Sequence, residues 1–107
     1  MPQRCPDVSS RTVRFLQTFF DDLDSQLPAQ RGVGGVPSST DFLLYDLPTI
    51  RDLLADDFER HTTEMLELSP MRLFIGAGTL VRGVVLYAYV AADDAIDVVA
   101  LELQVAE

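Results

Sequence analysis

The sequence has 107 residues, about the length of one domain, and 48% of them are hydrophobic. This hydrophobic content excludes an intrinsically disordered chain, and the totals of six glycines and six prolines exclude a collagen-like one. No apolar run reaches the roughly 20 residues of a transmembrane helix, and no hydrophobic stretch typical of a signal peptide follows the first residues. We therefore expect a single domain over residues 1–107, located in the cytoplasm and without membrane contact.

Charge and residue usage exclude further classes of function. Acidic residues number 17 against 8 basic ones, which gives a formal net charge of −9. Such a chain repels phosphate backbones, so a nucleic-acid partner is not expected. The basic residues are all arginine, and the absence of lysine excludes a P-loop and Schiff-base chemistry. Two explanations of the acidity stay open: a GC-rich or salt-adapted source, or recognition of a basic partner.

Residues that could hold a metal or start a reaction are few. Cys5 is the one cysteine and His61 the one histidine, so neither an internal disulfide nor a zinc site is expected. Asp52 and Asp56 lie one helical turn apart, but neighbouring arginines favour a solvated helix face over a cation site. No serine has the sequence context of a catalytic triad. The sequence thus predicts no metal and no cofactor.

The first half of the chain predicts helices. Residues 1–8 are expected to form a flexible arm. A helix over residues 10–27 is predicted by an apolar stripe at helical spacing: Val13, Leu16, Phe20, Leu23 and Leu27. Residues 28–40 are rich in glycine and proline and predict a loop, whose glycines lack the strand and helix of a phosphate-binding turn. Residues 42–45 are apolar and fit either a brief strand or a core anchor.

A second helix is expected over residues 48–60. Asp46 is a candidate capping residue and Pro48 suits the first turn. Leu47, Ile50, Leu53 and others recur on one face. The next segment, 62–70, fits either a fraying helix or an edge strand.

The second half of the chain predicts strands over residues 71–75, 80–91 and 96–105. The connections between them are short, which favours an antiparallel meander. The fold class we expect is therefore α+β: two amphipathic helices packed on one face of a small, mainly antiparallel sheet of three to four strands.

The central predicted strand is apolar on both faces. One face carries Leu80, Val84, Leu86, Ala88 and Val90, and the other carries Val81, Val85, Tyr87 and Tyr89. Because two helices suffice for one face, the second set predicts a surface for a protein partner or a second copy of the chain. The alternative is that the arm or the glycine-rich loop folds over it.

Two arginines are placed on or near neighbouring predicted strands. Arg72 and Arg82 could together bind a phosphate or a partner carboxylate. The alternative is that they face solvent and pair with Glu67 or Glu102.

The strand region resembles the RelE/ParE superfamily of toxins from type II toxin–antitoxin systems. The resemblance lies in RLFIG at 72–76, VRGVVLY at 81–87 and IDVVAL at 96–101, after two helices. It implies Arg72, Arg82 and Tyr87 as catalytic positions and an antitoxin as the protein partner. The family usually begins with a strand. Its ribosome-dependent RNases carry a basic cluster near the C-terminus, which residues 101–107 lack, so the resemblance implies action by protein contact.

Two other functions stay open. The acidic chain could be a non-enzymatic inhibitor, of the immunity type, that blocks a basic target. It could also be a structural homodimer joined through Tyr87 and Tyr89.

Overall fold

A computed structural model of the chain describes residues 11–30 and 37–104. Its elements in chain order are β1 (Val13–Phe15), α1 (Gln17–Gln26), α2 (Ser39–Asp41), a π-helical turn (Phe42–Asp46), α3 (Leu47–Asp56), α4 (Phe58–His61), β2 (Thr63–Glu64), a 3-10 turn (Leu66–Leu68), β3 (Arg72–Gly76), β4 (Gly83–Val90) and β5 (Ile96–Gln104). The α+β class is confirmed. The expected arm at 1–8 and the loop residues 31–36 lie outside the described residues.

Five strands form one mixed sheet in the order β1-β5-β4-β3-β2. The neighbours from β2 to β5 pair antiparallel, as expected, whereas β1 pairs parallel to β5 with Val13 beside Ile96. A bulge interrupts β5, because Ala88 of β4 faces Val98 while Tyr87 faces Ala100. The expected count of three to four strands was too low. β1 falls within the predicted first helix, and the two-residue β2 lies in segment 62–70, for which an edge strand was one of two alternatives.

The start of the first helix was predicted wrongly. The helix begins at Gln17, and residues 13–15 form β1 instead. Val13 and Phe15 would face the core in a helix, and they do so in the observed strand. Their hydrophobicity therefore does not distinguish a helix from a strand. Pairing with β5, which is distant in sequence, decides in favour of a strand.

The second helical segment is longer than expected at its start. Ser38 and Asp41 form a reciprocal capping box, in which each side chain accepts the other residue's backbone N–H. Helical structure then continues through the π-helical turn into α3, so residues 42–45 are not a strand. Asp57 ends α3 and its side chain caps α4 by accepting the Arg60 N–H.

One hydrophobic core joins the helices to one face of the sheet. Its fully buried side chains are Phe19, Leu23, Phe42, Leu54, Phe58, Val84, Leu86, Ile96, Val98 and Leu101. Burying large side chains of this kind supplies the main driving force for folding. Within the described residues, no helix is long and apolar enough to cross a bilayer.

Polar side chains of α1 also bind the main chain of β5, beyond the end of β1. Asp22 accepts the N–H of Leu101, and Gln26 both accepts the N–H of Leu103 and donates to the carbonyl of Leu101. These bonds occupy the part of the β5 edge that no described strand adjoins.

Candidate protein-binding face

The face of the sheet opposite the helices carries five apolar or aromatic side chains. Leu73 lies opposite Tyr87 and Ile75 opposite Val85, so these four share one face of the hairpin. Tyr89 follows two residues along β4 on the same face. None of the five belongs to the hydrophobic core, whose β4 members are the alternating Val84, Leu86 and Ala88. We call Leu73, Ile75, Val85, Tyr87 and Tyr89 the open face.

The exposure of the open face is uneven. The Ile75 side chain is the most accessible, at 68%. The other four residues are half-buried by their neighbours within the sheet. Partly buried tyrosines next to an exposed aliphatic side chain are typical of a surface that binds another protein.

Carboxylates border the open face. Glu102 lies opposite Val85 and accepts a hydrogen bond of 3.2 Å from the Tyr87 hydroxyl. Asp97 lies opposite Tyr89 and accepts a 2.6 Å bond from the guanidinium of Arg14. The open face is therefore an apolar centre bordered by the Glu102 carboxylate and by the Arg14–Asp97 ion pair.

The environment of Tyr87 bears on its chemistry. Loss of hydration and the hydrogen bond to Glu102 raise the pKa of its hydroxyl above the ordinary value. A tyrosine with a raised pKa stays protonated at neutral pH, so it is a poor general base.

Val81 does not belong to the open face, although the sequence predicted it there. It is 2% exposed and lies in the hydrophobic core. The reason is that β4 begins at Gly83. Residues 77–82 form a loop, in which the Val81 carbonyl accepts the N–H of Gly78. The strand alternation therefore does not extend back to Val81.

Arg72 lies on the opposite side of the sheet from Tyr87. Its guanidinium donates to the Thr62 hydroxyl at 2.7 Å and to the backbone carbonyls of Glu59 and Thr62, and it lies over the Phe58 ring. These contacts tie β3 to the end of α4. The carboxylate nearest to Arg72 is that of Glu64, at 3.9 Å, rather than the expected Glu67.

Arg82 lies at the other end of the β3–β4 hairpin and is exposed. Among the described residues its side chain has neither an ion pair nor a hydrogen bond, so the expected pairing with Glu102 is not formed. Arg72 lies opposite Ala88, six residues further along the strand, and thus about 20 Å away at the usual rise per residue. Arg72, Arg82 and Tyr87 therefore do not meet at one point.

Leu73 and Ile75 were missed as members of the open face. The signal was available, because they are spaced by two residues as Val85 and Tyr87 are. The residues opposite them, Tyr87 and Val85, are set by the register of the β3–β4 hairpin. The described residues also contain no cluster of three or more His, Cys, Asp or Glu side chains that could hold a metal ion.

Comparison with protein families, with curated proteins and with solved structures finds no match for this chain. The function is therefore argued from the residues and their placement.

Proposed function

We propose that this chain is a protein-binding module that contacts its partner through the open face, in the toxin-type role that the resemblance to the RelE/ParE superfamily implies. The observation that carries the proposal is the cluster of five apolar and aromatic side chains on the face opposite the helices. Removing such a cluster from water favours association, and tyrosine is enriched among the residues that dominate binding energy.

The charges beside the open face favour a basic partner. The Glu102 carboxylate borders the cluster, whereas Asp97 is paired with Arg14, and the whole chain has a formal net charge of −9. Complementary charges around an apolar centre speed association and select the partner. We expect a partner surface with an apolar centre and arginine or lysine side chains around it.

The order of elements is consistent with the toxin-type role. A strand precedes the first helix, the helices follow, and the antiparallel strands come last. The superfamily usually begins with a strand, and β1 is the first element among the described residues.

Action by contact is favoured over catalysis. The three positions implied by the resemblance lie apart, since Arg72 binds Thr62 on the helix side while Arg82 lies at the far end of the hairpin. A general acid–base mechanism needs its groups within hydrogen-bond reach of one substrate.

The test is growth of a bacterial host in which the protein is induced. We expect growth arrest with the natural sequence and normal growth with the double variant Tyr87→Ser/Tyr89→Ser. The matched control is Tyr45→Ser, because Tyr45 is equally a tyrosine but lies 60% exposed in the π-helical turn. Circular dichroism of each purified protein verifies that it folds.

Two results would contradict the proposal. Normal growth with folded natural protein would reject the toxin-type role. Arrest that survives in the double variant, or is lost equally in Tyr45→Ser, would reject the open face as the contact surface.

A second candidate function is an acidic inhibitor that blocks a basic target, and the observation in its favour is the net charge of −9. It requires normal growth together with binding to a basic protein that weakens steeply with salt. Loss of that binding in Tyr87→Ser/Tyr89→Ser, but not in Tyr45→Ser, would assign the inhibitor to the same face.

A homodimer through the open face is the remaining alternative. Sedimentation equilibrium separates it from the others, because the natural protein would be dimeric without any partner. The double variant Tyr87→Ser/Tyr89→Ser would then be monomeric.

A further inference from the structure

A groove lies between the helices and β3, on the helix side of the sheet. Its volume is about 410 Å³, within the range of pockets that bind small molecules. Thr49, Ile50 and Leu53 of α3 line one wall, and Phe74 and the loop after β3 line the other. Phe74 points to the core and its neighbour Ile75 to the open face, so the groove and the open face lie on opposite sides of the sheet.

The two ends of the groove differ in charge. At one end, the buried carboxylate of Asp46 accepts two backbone N–H groups of the loop after β3. At the other end, Arg60 and His61 of α4 line the groove. β3 separates these ends, because Arg72 at its start binds Thr62, next to His61, whereas the loop after it binds Asp46. The carboxylate in the lining is therefore at the far end from the basic side chains, and it is already hydrogen-bonded.

Arg60 differs from most arginines of this acidic chain. Four of the six arginines that the structure describes pair with a carboxylate: Arg11, Arg14, Arg51 and Arg72. Within the described residues, the side chains of Arg60 and Arg82 have neither an ion pair nor a hydrogen bond, and of these two only Arg60 lines this groove. Acidic residues number 17 against 8 basic ones, so an arginine left without a carboxylate is available to an anion from outside the chain.

We propose that the groove binds a small molecule with one carboxylate and an apolar body. The carboxylate binds Arg60, whose guanidinium presents two parallel N–H donors, and His61 supplies a further N–H donor. The apolar body lies along the half-buried Leu53, over a floor formed by Ile50 and Phe74. The site is separate from the open face, and the proposal does not depend on the toxin-type role.

Gly76 shapes the wall that contains Phe74. A Cβ atom at Gly76 would lie 2.8 Å from the Phe74 ring, closer than two carbon atoms that are not bonded approach each other. The absence of a side chain therefore lets the ring lie against the main chain of β3. On this face of β3 no side chain follows Phe74 before the loop, which leaves room for the body of the ligand.

The charge of the whole chain makes the charge of the ligand a strict test. A formal net charge of −9 attracts cations and repels anions at long range. A preference for a carboxylate over an amine of the same shape therefore requires local contacts, which Arg60 and His61 supply.

The experiment compares ligands that differ only in their polar group. Octanoate, octylamine and octanol share the same apolar chain, and their Kd values are measured by titration of the protein's backbone amide resonances. We expect octanoate to bind at least about tenfold more tightly than the other two, as expected for a charged hydrogen-bonded pair. The resonances of residues 60–61 and 74–79 should shift with octanoate.

Two matched pairs of variants assign the binding to the groove. Arg60→Gln should weaken octanoate binding at least about tenfold, whereas Arg51→Gln, at an exposed arginine of α3 outside the groove, should not. Thr49→Trp fills the groove and should abolish binding, whereas Thr40→Trp places the same side chain on an exposed position of α2. All four positions are exposed, so each variant should fold.

Three results would overturn the proposal. One is that octanoate shows no saturable binding, and another is that octylamine binds as tightly as octanoate. The third is that octanoate binding survives Thr49→Trp, or weakens as much in Arg51→Gln as in Arg60→Gln. The variant Tyr87→Ser/Tyr89→Ser should keep full octanoate binding, so failure here and failure of the toxin-type role are distinguished.

Discussion

The two edges of the sheet are finished in different ways. At one edge, β1 covers the first residues of β5, with Val13 beside Ile96. Where β1 ends, Asp22 and Gln26 of α1 take its place and bind the β5 main chain at Leu101 and other positions. This edge is closed by the chain's own strand and side chains.

At the other edge, β2 pairs with β3 for two residues, and the extended, buried Thr62 continues that register beside Phe74. No described strand runs beside Ile75 and Gly76. Both edges belong to the same sheet and face the same solvent, so the difference is not explained by hydrophobicity alone. Within the described residues, the chain completes the hydrogen bonding of the β5 edge and leaves two residues of β3 without a neighbouring strand.

The largest effect is expected on β3, which depends on burial of one ring. Phe74 is 6% exposed, and Phe74→Ala should lower the free energy of unfolding by about 3 kcal/mol. The neighbouring Ile75 is 68% exposed, so Ile75→Ala should cost less than about 0.5 kcal/mol. Urea denaturation followed by circular dichroism measures both. Equal losses would mean that the ring does not anchor this edge.

The next effect concerns the loop that follows β3. Asp46 is 3% exposed and accepts the N–H groups of Thr79 and Leu80 at 2.6 and 3.0 Å. Asp46→Ala leaves these amides without their acceptor and should cost about 2 kcal/mol of stability. Asp52→Ala removes an exposed carboxylate from the same helical segment and should change stability by less than about 0.5 kcal/mol. The same denaturation assay applies, and similar losses would argue against the Asp46 contact.

A smaller effect is expected at the β5 edge. Gln26→Ala removes the acceptor of the Leu103 N–H and the donor to the Leu101 carbonyl, and should cost about 1 kcal/mol. Gln17 is the matched control, because among the described residues its side chain bonds to Asp21 alone, on the helix surface. Hydrogen exchange of the Leu103 amide should accelerate in Gln26→Ala and not in Gln17→Ala. Unchanged exchange would mean that α1 does not close this edge.

The smallest effect concerns the ion pairs of β1 and depends on pH. Hydrogen bonding from Arg14 holds the pKa of Asp93 below its ordinary value. A carboxylate with a lowered pKa in the folded state stabilises the fold above its unfolded pKa, and this contribution is lost as pH falls through the folded pKa. Arg14→Gln should therefore lower the urea midpoint slightly at pH 7, and the gap should close below about pH 4.

The control for this pH dependence is Arg51→Gln. Arg51 is exposed and pairs with its neighbour Asp52 within the same helix, so no strand depends on it. A gap of equal size at pH 7 and pH 3 for Arg14→Gln would contradict the role of the β1 ion pairs.

The sequence predicted the two faces of β4 well because its side chains alternate between a buried face and an open one. Val84 and Leu86 were assigned to one face and Val85 and Tyr87 to the other, and the structure places them so. Periodicity reports burial, which is a local property of each residue. It does not indicate which strand pairs with which.

The errors arose where distant pairing decides the outcome. Val13 was assigned to a helix, but its partner Ile96 makes it a strand residue. Arg72 was placed with Tyr87, but the hairpin register puts the two on opposite faces. The groove between Leu53 of α3 and Phe74 of β3 was not predicted, because its lining joins the helices to β3 and to the loop that follows β3. Such features depend on tertiary contacts that a local pattern does not encode.

The parallel pairing of β1 with β5 has a consequence for synthesis of the chain. The paired residues Arg14 and Asp97 are 83 positions apart, and α1 binds the same last strand. While a ribosome is still making the first 95 residues, the surfaces on which β1 and α1 dock have not been translated. Contacts between such distant residues slow folding. β1 and α1 therefore leave the ribosome well before β5, and they reach their final positions only after β5 has been made.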